Sequence, residues 1–175
     1  MKQISAQTFI LPAAFFAASV FLVGAGWWWL GQPVAMPPSP LGPGEKIHCV
    51  SYAPFRDGQS PLDPTTRIPA WQMDEDLARL KQITDCVRTY SVQHGLDQIP
   101  AIARKHGMRV IQGLWLSSNG PLNAREIETT VKLANEFPDV IRSIVVGNEV
   151  LLRGEISGTD LANIIRGVKA KVKQP

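Results

Sequence analysis

Four times between Ile47 and Val172 a short β-branched run is followed by a stretch with helical spacing. That alternation constrains the fold more than any other feature, because it implies parallel strands joined by right-handed crossovers. Residues 47–53 read as a first strand, followed by Met73, Leu77, Leu80 and Ile83 on one helical face. Residues 86–91 read as a second strand, and 96–105 as a helix closed by Gly107. Residues 110–116 form the third strand, and Asn123 with Glu126 resembles a capping box opening a helix that ends before Pro138. A fourth strand leads to Val146, and 157–172 is an amphipathic helix with Leu161, Ile164, Ile165 and Val168 inward.

Two α/β architectures fit: a small doubly wound sheet, or the first half (about four βα units) of a (β/α)8 TIM barrel. A full barrel takes about 250 residues. Roughly half of that follows residue 45, and Pro175 falls where a fifth strand would begin, so a cut chain is expected.

The N-terminus bears on the compartment. No charged residue lies between Lys2 and Glu45, and residues 9–30 are an apolar stretch long enough to cross a bilayer as a helix. Trp27, Trp28 and Trp29 stand at its far end, where indoles favour the lipid–water boundary. With Lys2 as the nearby positive charge, an anchor would keep the N-terminus cytoplasmic and export the rest. A signal peptide cut after Ala25 is the alternative, and either way the domain is expected to be periplasmic or extracellular. Residues 31–45 form a Pro/Gly linker, a stiff spacer before the domain at 46–175.

Outside the cytoplasm Cys49 and Cys86 are free to form a disulfide, and two buried thiols are equally compatible with the sequence. With His48, His94 and His106 scattered, no metal-ligand spacing appears and no cofactor is expected. The net charge of +3 is spread along the chain, which argues against nucleic acid. No glycine-rich phosphate loop follows any strand, which argues against a nucleotide-binding doubly wound domain.

Chemistry in such folds collects at the carboxyl ends of strands. Ser143-Ile144-Val145-Val146-Gly147-Asn148-Glu149 places an Asn-Glu pair there. Strand alternation puts Ser143, Val145, Gly147 and Glu149 on one face, with Glu149 partly desolvated and suited to donate a proton. A structural ion pair is the competing role for Glu149, and a turn or cap role for Asn148. Tyr52, Tyr90 and Trp115 could bind sugar or serve as half-buried packing. Arg88, on a buried strand, calls for an acidic partner.

Val87-Arg88-Thr89-Tyr90-Ser91, Gly113-Leu114-Trp115-Leu116 and above all Val146-Gly147-Asn148-Glu149-Val150-Leu151 resemble glycoside hydrolase family 17. These are β-1,3-glucan hydrolases and transglycosylases on a (β/α)8 barrel, and the likeness covers residues 46–175. It implies a retaining mechanism in which Glu149 is the acid/base, Asn148 holds the hydroxyl beside the reacting carbon, and Arg88 supports the nucleophile. That nucleophile would come from a seventh strand, so the chain as given is expected to release no reducing sugar from laminarin. Glu155 reads as a solvated acid near a helix N-terminus rather than the second carboxylate. The alternative is a non-catalytic carbohydrate-binding or scaffold domain at the membrane surface. Open sheet edges would favour self-association, which a concentration-independent melting transition of a monomer would exclude.

Overall fold

The computed structural model describes residues 7–38 and 40–174, so Lys2, Ser39 and Pro175 lie outside the described residues. The chain divides into two compact units, one ending at Pro40 and one beginning at Leu41. The first holds α1, Gln7–Leu30, a 24-residue helix with Pro12 in its first half. Ile10–Leu30 are 21 residues of mean hydropathy 1.9, with no part of the apolar window buried against protein. At 1.5 Å per residue that length matches a bilayer core of about 30 Å. A signal sequence would have the same properties.

The second unit is a four-stranded parallel sheet in the order β1-β2-β3-β4, with helices in the crossovers. Its strands are β1 (Val50–Ser51), β2 (Cys86–Arg88), β3 (Arg109–Leu114) and β4 (Ile141–Val146). The helices are α2 (Ala70–Leu80), α3 (Ile99–Lys105, after a 3-10 turn at Leu96–Gln98), α4 (Gly120–Glu136) and α5 (Gly158–Lys169). Every neighbouring pair is parallel, as the alternation requires.

Met73 and Leu77 of α2, Val87 of β2, Ile99 and Ala103 of α3, Val110 of β3 and Ile141 of β4 form one core between sheet and helices. Leu114, Leu116, Val150 and Val168 form a second, against α4 and α5. The helical spacing located these faces but overran their ends. Ile83 lies beyond α2 and is half exposed, and Ile165 is exposed on α5 while Val168 is buried.

The first strand is shorter than its apolar pattern predicts. Having a partner on one side alone, the segment pairs as a ladder at Val50 and Ser51, with an isolated bridge from Ile47 to Thr84. A disulfide between Cys49 and Cys86, Cα atoms 4.4 Å apart, fastens it to β2. The predicted capping box is also replaced. Asn119 caps α4, its Oδ1 accepting from the Leu122 amide at 3.1 Å, while Asn123 bonds both backbone groups of Ser117. Glu126 is thereby left to turn inward.

At the amino ends of the strands, Lys46, Lys81, Arg109 and Arg142 gather around one cleft, although they are dispersed in sequence. Asp85 takes both lysines.

Candidate active site

The carboxyl ends of β1, β2 and β3 release Tyr52, Tyr90 and Trp115 into a common pocket. Its volume is about 360 Å³, and Phe55, Leu62 and His94 complete the aromatic and aliphatic lining. The sequence thus marks three residues that the fold brings together. Tyr52 is buried and its hydroxyl donates to Asp76 Oδ2 at 3.0 Å. Burial, reinforced by the Asp76 carboxylate, pushes that hydroxyl well above the ordinary phenol range, so it stays protonated. Tyr90 is half-buried with its hydroxyl unengaged among the described residues, and Trp115 is half-buried with its ring under the Arg153 guanidinium, 4.4 Å to the centroid.

Arg88 joins this pocket to the end of β4. Its guanidinium lies 4.9 Å from the Tyr90 ring centroid, and Nη2 donates to Asn148 Oδ1 at 3.0 Å. No carboxylate pairs with it among the described residues, and its buried Nε has no hydrogen-bond partner. The acidic partner expected for a strand arginine is therefore an amide instead. The bond occupies the Asn148 carbonyl and leaves its Nδ2 without a partner among the described residues.

Glu149 departs from expectation in two respects. β4 ends at Val146, and Gly147 (φ 76°) and Glu149 (φ 54°) both take left-handed backbone, so strand alternation does not reach the glutamate. Ser143 and Val145 do share a face, opposite Ile111 and Gly113 of β3. Glu149 is exposed rather than partly desolvated, and no side-chain hydrogen bond or ion pair holds it among the described residues. The structural ion pair that competed with a chemical role is absent there. Gly147 has little freedom to vary, since a Cβ would meet Val150 Cγ1 at 2.9 Å in an already left-handed residue.

Glu155 is not a solvated acid. Its Oε2 accepts from Arg153 Nε at 2.9 Å and Nη2 at 2.7 Å, a half-buried fork that takes it out of contention as a free second carboxylate.

Sequence reasoning missed Glu126 and Arg153. Glu126 is 1% exposed and accepts from Ser91 Oγ, Gln93 Nε2 and the backbone amides of Val92 and Trp115. It therefore pins the loops after β2 and β3, which carry Tyr90 and Trp115. Burial raises its pKa, opposed by those four donors. A carboxyl raised in the fold contributes stability below its unfolded pKa and loses it as pH rises through the folded one. Denaturation of wild type across that range should show this decline, and Glu126→Gln should remove it while lowering stability overall, because an amide nitrogen then faces two donors. An unchanged pH profile in the variant would contradict this account.

A four-stranded parallel α/β sheet with aromatic side chains at the carboxyl ends of its strands has the architecture of part of an α/β barrel of the kind glycoside hydrolases use. A profile of the BtgE/BtgC glycoside hydrolase domain matches residues 49–175, and the chain belongs to that family, which is of the family 17 type. A probable beta-glucosidase btgE of Aspergillus flavus is 34% identical over 102 residues, covering 57% of this chain and 17% of that protein. A probable glucan endo-1,3-beta-glucosidase btgC of the same organism is 32% identical over 98 residues, 50% of this chain and 13% of that protein. The chain thus aligns with less than a fifth of these relatives' length. A family 17 beta-1,3-glucanosyltransferase of Rhizomucor miehei superposes with a TM-score of 0.59 at 25% identity, over 71% of this chain and 44% of that one. An active-site mutant of the same enzyme, in complex with laminaritriose, superposes equally well.

Proposed function

We propose that this protein acts on β-1,3-glucan by retaining hydrolysis or glucanosyl transfer, with Glu149 as general acid/base. The observation that carries the reading is the bridge Tyr90–Arg88–Asn148, which joins an aromatic pocket to a turn bearing an exposed glutamate, unpaired among the described residues. Asn148, its carbonyl held by Arg88, keeps its amide to donate to the hydroxyl beside the reacting carbon. Glu149 protonates the departing glycosidic oxygen and then takes a proton from the incoming water or sugar hydroxyl. The nucleophilic carboxylate of such a pair lies about 5–5.5 Å away across the bond. Glu155, held by Arg153, does not fill that role.

Tyr90 and Trp115 offer faces to glucose rings. The second reading, a carbohydrate-binding domain without catalysis, shares this pocket and differs only at Glu149. Helix α1 is proposed as a plasma-membrane anchor that leaves the domain on the outer side, with export after cleavage as the alternative.

Calorimetric titration with laminaritriose tests the reading. Wild type and Glu149→Gln are expected to bind alike, because the glutamate has no side-chain partner among the described residues, whereas Tyr90→Ala and Trp115→Ala should each weaken binding about tenfold. In a barrel with both carboxylates, Glu149→Gln should reduce turnover of laminarin about 10²–10⁴-fold. Absence of binding sinks the glucan assignment; undiminished turnover in Glu149→Gln sinks the acid/base role, and binding with no turnover even in a barrel with both carboxylates returns the protein to the second reading.

A further inference from the structure

The turn after β4 is held by one side chain that the reaction scheme does not use. Arg153 donates from Nη1 to the Asn148 carbonyl, from Nη2 to the Leu116 carbonyl at 2.9 Å, and from Nε and Nη2 to Glu155. Its face lies over the Trp115 ring at 4.4 Å. Its own amide closes a helical turn onto the Glu149 carbonyl at 3.0 Å. One guanidinium therefore touches the segment after β3, which carries the indole, and both peptide carbonyls of the Asn-Glu pair are tied to the same residue.

We propose that Arg153 is a positioning residue that fixes Trp115 and the Asn148–Glu149 turn as one rigid unit, so that a glucose ring seated on the indole presents its glycosidic oxygen to Glu149. The inference rests on the glucan reading above for its ligand and on geometry alone for the rigid unit. Three considerations support it. Glu149 occupies left-handed backbone, which a residue other than glycine holds only where its surroundings impose it. The Arg153 backbone and side chain both close on that turn. The Glu155 carboxylate, engaged twice, fixes the guanidinium plane and leaves the ring-facing surface as its remaining contact. A lysine would keep the charge but not the fork that reaches two carbonyls and a carboxylate together.

The test uses the full chain and has two arms. In a double-mutant cycle read by laminaritriose affinity, Arg153→Ala should weaken binding about tenfold in the wild-type background and by less than about twofold when Trp115 is already alanine. Arg153→Lys should not restore affinity. Additive effects, or full rescue by lysine, overturn the proposal, because a merely structural arginine acts independently of the indole. The second arm needs no ligand. Amide exchange in Arg153→Ala should quicken at least about tenfold at residues 153–155, whose amides bond the carbonyls of Glu149, Leu151 and Val150, while Val110–Gln112 in β3 remain protected. A uniform rise, or none, overturns the proposal. Should wild type bind no laminaritriose, the glucan reading falls and this second arm decides the positioning role by itself.

Discussion

Alanine at position 113 is expected to cost the domain its fold. Gly113 of β3 lies against the segment that follows β2, and a Cβ built there would stand 2.3 Å from the Thr89 carbonyl oxygen and 2.4 Å from the Tyr90 Cα. Both are backbone atoms, so no rotamer change relieves the clash. The same contact is tied by the Gly113 amide donating to Thr89 Oγ1 at 3.1 Å and the Thr89 amide donating to the Ile111 carbonyl at 3.0 Å. Separating the strands would break those bonds and displace Tyr90. Overpacking in a core costs about 1–3 kcal/mol when side chains can adjust, and more when they cannot. Against a total stability of about 5–15 kcal/mol, at least about 3 kcal/mol is expected here. Gly113→Ala should accumulate as insoluble protein or melt well over about 10 °C lower by circular dichroism. A melting temperature within about 2 °C of wild type would show that the two strands can part freely.

Opening the Cys49–Cys86 bond is the second large perturbation. The bond closes a loop of 37 residues, and loop-closure entropy of that length corresponds to about 4 kcal/mol at 25 °C. Besides the disulfide, the first strand segment is held by a two-residue ladder, the Ile47–Thr84 bridge, the Tyr52 amide donating to the Arg88 carbonyl at 2.8 Å and the Tyr52 hydroxyl donating to Asp76. Reductant, or Cys49→Ser with Cys86→Ser, should lower the melting temperature by roughly 15 °C and expose the Val50–Tyr52 amides to exchange first. Tyr52 would lose its fixed place in the aromatic pocket, so oligosaccharide affinity should fall along with stability. Equal melting of oxidised and reduced protein would mean that the sheet holds β1 without help.

The order of strands and helices was legible because each core face repeats with its own period, as Met73 and Leu77 do on α2. Element ends were less so. The pattern at residues 47–53 promises a full strand, but an edge position supplies hydrogen bonds on one side only, and the ladder shrinks to two residues. Asn123 and Glu126 match a capping box in spacing, yet Asn119 followed by Gly120-Pro121 is the stronger start signal, with proline in the first helical turn. With the helix starting there, Glu126 falls in its second turn, free to enter the core.

At the site, residue identities were legible and their conformations were not. Asn148 and Glu149 follow an apolar strand, which marks them, but the left-handed backbone at Gly147 and Glu149 accompanies the packing of Val150 with Leu114 and Leu116, which only the closed fold shows. Arg153 gave no signal at all. Its partners at Leu116 and Trp115 lie more than 35 residues upstream, and only the closed fold brings them together.

The backbone of Glu149 has a bearing on engineering. Left-handed geometry disfavours an L side chain by about 1 kcal/mol, and glycine escapes that cost. Glu149→Gly is therefore expected to melt higher than wild type in a thermal scan, unlike most glycine substitutions. Screens that select for heat resistance alone would drift toward discarding the proposed proton donor, so libraries built on this scaffold need a chemical readout beside the thermal one.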